Sequence, residues 1–140
     1  MARRPPAPIT RPVTARSAKL AALALVALVG LVAASEPTGR VSVTDGDTIR
    51  IGDERIRILN IDAPEMGGGA ECEAERMLAL ASKDRLTAIL ATGELEIDRQ
   101  GQDRFGRTLA MIRVSGTDVG EMLIAAHVAV PWAGRQHDWC

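Results

Sequence analysis

The stretch from Val41 to Glu65, VSVTDGDTIRIGDERIRILNIDAPE, decides the fold. Val41 and Val43 share one parity, Asp45-Gly46 interrupts, and Ile49 and Ile51 resume that parity, which predicts a single bent or bulged strand with one buried face. Gly52-Asp53 turns the chain. The Ile- and Leu-rich run Arg55 to Asp62 then returns as a hairpin partner and stops at Pro64, which has no N–H to give a ladder.

Beyond this hairpin, Met66 to Ala70 reads as a loop and Glu71 to Ala91 as a helix, with Leu78, Leu86, Ile89 and Leu90 on one face and Gly93 past its end. Glu94 to Asp98 alternates as a strand, Arg99 to Asp103 is polar enough for a loop, and Thr108 to Val114 is a further strand. Ser115-Gly116 turns the chain. Asp118 followed by Glu121 resembles a capping box and starts a short helix to about Ala126; a last strand around Val128 to Val130 ends at Pro131. The order is strand, strand, helix, strand, strand, helix, strand: a mainly β chain with helices. A small barrel capped by helices buries its apolar faces better than an open sheet with exposed edges.

The chain has 140 residues, and the first 34 do not read as part of that fold. Arg3, Arg4, Arg11, Arg16 and Lys19 precede the 15-residue apolar run Leu20 to Ala34, with small residues at Ala33, Ala34 and Ser35. That order predicts an exported protein, periplasmic or extracellular, whose signal peptide is cleaved near Ser35 or Glu36. The alternative is an uncleaved hydrophobic helix, with residues 20–34 anchoring the chain in the cytoplasmic membrane. The expected division is 1–34 signal or anchor, 35–39 linker, 40–132 folded domain and 133–140 tail.

Without the leader, the 17 basic and 18 acidic residues become 12 and 18, a net charge of −6. A broad basic surface for nucleic acid is thereby excluded, so a polyanion must be met by a local cationic site or a bound metal. Export would let Cys72 and Cys140 pair as a disulfide; in the cytoplasm two free thiols are expected instead. Neither belongs to a metal-binding cysteine pattern.

Three polar clusters interrupt the apolar pattern: Asp45-Gly46-Asp47-Thr48, Arg57 with Asp62-Ala63-Pro64-Glu65, and Arg104-Phe105-Gly106-Arg107. The hairpin can bring Asp47 near Asp62, and two close carboxylates need a cation between them. Hard oxygen ligands suit Ca²⁺ or Mg²⁺, whereas zinc favours His or Cys. An EF-hand is excluded because the twelfth position counted from Asp45 is Ile56. Glu65 suits a general base, and Arg57 and Arg107 offer forked donors to a phosphate. Taken singly, each feature has a blander reading. Asp45-Gly46 is then only a turn, Arg57 a solvated strand residue, Gly67 to Gly69 a flexible loop, and Trp132 and Trp139 packing or tail contacts. His127 and His137 suggest no chemistry.

Val43-Thr44-Asp45-Gly46-Asp47-Thr48, Arg57-Ile58-Leu59-Asn60-Ile61-Asp62-Ala63-Pro64-Glu65 and Asp103-Arg104-Phe105-Gly106-Arg107-Thr108-Leu109-Ala110 together resemble the three signatures of thermonuclease (staphylococcal-nuclease-like) domains, over residues 40 to 132. The resemblance implies a five-stranded OB-fold barrel packed with two helices and a calcium-dependent endonuclease. It implies Asp47, Asp62 and the Ala63 carbonyl at the metal, Glu65 as general base, and Arg57 and Arg107 on the phosphate. Arg104 and Phe105 would contact substrate. The expected substrate is single-stranded or locally unpaired DNA or RNA, cut to a 3′-phosphate and a 5′-hydroxyl by a monomeric chain. The sequence differs from the family pattern in Ala63, often Thr, in Phe105, commonly Tyr, and in having no tyrosine. The alternatives are a catalytically weak OB-fold module binding nucleic acid or a protein, and a membrane-anchored interaction protein.

Overall fold

Two strands, β1 (Val41–Asp45) and β2 (Thr48–Ile51), occupy the stretch whose parity predicted one bent strand. The reason lies in their register: Val41 faces Ile51 and Val43 faces Ile49. Residues opposite one another in an antiparallel pair share a face of the sheet, so a hairpin of this register has the same parity as a continuous strand. The ladder slips between Val43 and Asp45, and the turn falls at Gly46-Asp47. The computed structural model describes residues 39–140; the expected signal or anchor segment and nearly all of the linker lie outside the described residues.

β3 (Glu54–Ile58) pairs antiparallel with β2, as Gly52-Asp53 requires, and a turn at Leu59-Asn60 separates it from the two-residue β4 (Ile61–Asp62). The run Arg55 to Asp62 is therefore two strands. After a 3₁₀ turn at Gly67–Gly69 comes α1 (Glu73–Leu90), which buries Ala79, Ser82, Leu86 and Ile89 and leaves Leu78 and Leu90 partly covered.

β5 (Leu95–Gln102) runs through residues expected to form a loop. A bulge between Arg99 and Gly101, with Gly101 at φ 145°, lets pairing with β6 (Thr108–Val114) continue to Gln102 opposite Thr108. The polar composition there reflects an exposed edge strand rather than a break in the ladder. β7 (Thr117–Asp118) pairs with β6, and α2 (Val119–Ala125) follows, its first turn capped by the Asp118 carboxylate, which accepts the Glu121 N–H at 2.9 Å. The final strand β8 is Val130–Pro131, two residues later than expected, and pairs antiparallel with β4.

The main sheet follows the path β1-β2-β3-β6-β5, with β3 and β6 parallel. Among the described residues no ladder joins β5 to β1, so the five strands expected to form a barrel make a mixed half-barrel with two helices. Its core centres on Ile49, Ile56, Ile58, Ile61, Leu86, Ile112 and Leu123. Each such side chain stabilises the fold by about 1.5–3 kcal/mol. Among the described residues no helix is long and apolar enough to cross a membrane.

Candidate active site

Arg57 lies between Ile56 and Ile58 on β3, and all three are buried. Alternation would send it to solvent; ion pairs turn that second face into an interior. Its Nη2 is 3.1 Å from Asp47 Oδ2 and 3.4 Å from Asp62 Oδ1, and its guanidinium lies 4.7 Å from the centre of the Trp132 ring. Asp47 reaches it from the β1–β2 turn and Asp62 from β4.

The turn carrying Asp47 presses against α1. A Cβ at Gly46 would stand 2.1 Å from Ser82 Oγ, 2.7 Å from Ser82 Cβ and 2.8 Å from Ala63 Cβ, so only glycine permits this approach. Close packing, in addition to turn chemistry, thus accounts for Asp45-Gly46. Thr48 Oγ1 donates to Asp47 Oδ1 at 2.8 Å, and Asp62 Oδ2 accepts the His137 N–H at 2.9 Å.

Two buried carboxylates share one guanidinium, which leaves the centre short of positive charge. Burial raises the Asp47 carboxyl to about 7, against the lowering effect of Arg57 and with a further push from the Asp45 charge. Glu65 is also raised, first by burial and then by Asp45, with Asp62 adding to the shift and Gln136 and Arg107 opposing it.

Arg107 enters from the turn before β6, where Gly106 takes φ 73°. Its Nε donates to Asp103 Oδ2 at 2.8 Å, while Asp103 Oδ1 accepts the N–H groups of Phe105 and Arg107, each at 2.9 Å. These bonds hold the Asp103 carboxyl below its ordinary range against the opposing effect of burial. Phe105 is 58% exposed at the rim, with the guanidinium of Arg104 4.8 Å from its ring and that of Arg107 at 5.5 Å. Asp47 and Asp62 thus meet at Arg57, Ala63 is buried next to Asp62, Glu65 lies on the loop after β4, Arg107 on the turn before β6, and Phe105 is exposed with Arg104 and Arg107 beside its ring.

Sequence reasoning missed the contact that the tail makes: Gln136 Nε2 donates to Glu65 Oε1 at 2.9 Å. The disulfide expected of Cys72 and Cys140 is present, at the N-cap of α1, and ties the end of the tail to that helix. That cysteine pair was the one signal that the tail lies against the domain. Glu75, also unremarked, is a buried carboxylate that accepts the Glu65 N–H at 3.1 Å and the Glu71 N–H at 2.7 Å.

A family model described as staphylococcal nuclease homologue matches residues 55–137. The chain is similar to the succinoglycan biosynthesis protein ExoI of Rhizobium meliloti (strain 1021), at 35% identity over 107 residues that cover 69% of this chain and 53% of that protein. It is also similar to an uncharacterized endonuclease of Escherichia coli O157:H7, at 30% identity over 113 residues covering 76% of this chain and 67% of the relative. The chain thus spans about half the length of the first relative and two thirds of the second.

Proposed function

The chain belongs to the staphylococcal nuclease homologue family, and on that premise we propose that it is a metal-dependent endonuclease hydrolysing phosphodiester bonds of DNA or RNA. The observation that carries this reading is the shared contact of Asp47 and Asp62 with Arg57. The endonucleases among its relatives support the same reaction class.

The donors fit a hard divalent cation. Among the described residues no three His, Cys, Asp or Glu side chains gather as a metal cage. The Asp47 and Asp62 carboxylates, the Ala63 carbonyl and water would instead form an all-oxygen set suited to Ca²⁺, or Mg²⁺. Two buried carboxylates facing one guanidinium support this, since a cation would offset the charge that Arg57 does not when both are ionised. Once bound, the cation supplies Lewis-acid stabilisation of charge on a phosphoryl oxygen.

The chain's own residues account for the rest. Arg57 and Arg107 offer N–H donors to the phosphoryl oxygens, whose negative charge grows as water attacks phosphorus and the bond to the 5′ oxygen breaks. Glu65 takes the proton of the attacking water. Phe105 and Arg104, exposed at the rim, receive an unpaired nucleotide. The Cys72–Cys140 disulfide supports an oxidising compartment, periplasmic or extracellular.

Digestion of single-stranded DNA and RNA with calcium or with chelator tests the proposal, with Glu65→Gln and Arg107→Ala as controls. Cleavage by the parent that needs calcium and falls at least a hundredfold in each variant is expected. Full activity in both variants would remove these residues from the mechanism, and a parent inert with every divalent metal would leave a binding module.

A further inference from the structure

Glu65 is held from two sides by residues outside the three motifs. Its main chain is fixed by Glu75, whose two oxygens accept the N–H groups of Glu65 and Glu71 and so fasten both ends of the intervening loop. Its carboxylate is held by Gln136, which donates to Oε1 at 2.9 Å. Gln136 is exposed and belongs to no helix or strand, so its place depends on what fastens the tail. The Trp132 N–H donates to Asn60 O at 2.9 Å, the His137 N–H donates to Asp62 Oδ2 at 2.9 Å, and Cys140 is bonded to Cys72. Gln136 lies inside this three-point attachment.

The terminal torsion of a glutamate is broad and nearly two-fold, so a carboxylate on a loop has no fixed aim of its own. A hydrogen bond to one oxygen removes that freedom. Among the described residues Glu65 Oε2 has no hydrogen-bond partner, and Glu65 is exposed. We propose that Gln136 is a positioning residue for phosphodiester hydrolysis, delivered by the disulfide-anchored tail, which holds Glu65 Oε1 so that Oε2 faces the attacking water. This rests on the reading of Glu65 as the base. The tail thereby belongs to the site, although none of its residues need touch the substrate.

The test uses the full chain with saturating calcium and a single-stranded oligonucleotide, comparing the parent with Gln136→Met, Cys140→Ser, the double variant and Glu65→Gln. Gln136→Met keeps the side-chain length and removes the donor. It lowers kcat about tenfold while KM and the melting temperature stay at the parental values. Cys140→Ser lowers kcat at least as far, and adding Gln136→Met to it causes no further loss, because the contact has already gone. Parental kcat in Gln136→Met, or a faster enzyme once the tail is released, overturns the proposal; the second result would make the tail a plug. If Glu65→Gln abolishes cleavage while Gln136→Met matches the parent, only the positioning role fails. A parent without activity, or a Glu65→Gln variant as active as the parent, removes the base assignment and this proposal with it.

Discussion

Arg57 Nη2 stands 3.1 Å from Asp47 Oδ2, and each residue is 8% exposed. The same nitrogen also serves Asp62. One buried cation therefore faces two buried carboxylates, and replacing a charge in this cluster has consequences beyond the loss of a single contact, because an unpaired buried charge is costly.

The Asp47 carboxyl is raised from 3.8 to about 7 in the folded cation-free protein, so the folded state holds a proton that the unfolded state has released between those values. The stability this contributes is complete below pH 3.8 and is lost as pH rises through about 7. The melting temperature of the cation-free parent should therefore fall from pH 5 to pH 8 more steeply than that of Asp47→Asn. If the proposed calcium site uses the Asp47 carboxylate, calcium should bind more tightly over the same range and release protons below pH 7. Calorimetry in buffers of differing ionisation enthalpy measures that release.

Trp132 covers the guanidinium of Arg57 at 4.7 Å. A partly desolvated cation–π contact is worth about 1–2 kcal/mol, so Trp132→Ala should lower kcat/KM by roughly five- to thirtyfold. Trp132→Phe should keep most of the activity. Equal loss in both variants would show that the indole acts in another way.

The Cys72–Cys140 bond closes a separation of 68 residues. Chain-entropy reasoning gives about 4 kcal/mol for a loop of that size. Urea denaturation of Cys72→Ser/Cys140→Ser should show that loss as a lower midpoint with a larger m-value, since the unlinked unfolded chain exposes more surface.

Gly46→Ala places a Cβ within 2.8 Å of both Ser82 Cβ and Ala63 Cβ. Overpacking of this kind costs roughly 1–3 kcal/mol. Ser82→Ala should not restore the loss, because the Ser82 Cβ at 2.7 Å remains. Thermal melts of the single and double variants check this.

Much of this was legible in the residues. The Gly52-Asp53 hairpin, the limits Thr108–Val114 and the Asp118 cap follow from local chemistry, and the structure has each of them. What could not be read locally depends on register or on distant contacts. The β1–β2 hairpin has the parity of a single strand, and the bulge at Gly101 conceals a ladder within a polar run. At the site, the motifs name Asp47, Arg57 and Asp62, but nothing local to Arg57 indicates that Trp132 covers it or that two carboxylates draw it inward. Gln136 and His137 have neither periodicity nor motif. They stand at the site in a segment held by the Trp132 and His137 N–H bonds and by the Cys140 disulfide.

Asp103 carries one further consequence. Its carboxylate is fastened to the Phe105 and Arg107 main chain by two bonds and to the Arg107 side chain by a third. On the proposed reading, a phosphate that draws the guanidinium away leaves the two main-chain bonds in place, so the turn keeps its shape. Arg107 would then act like an arm on a fixed shoulder, resting against Asp103 until an anion arrives.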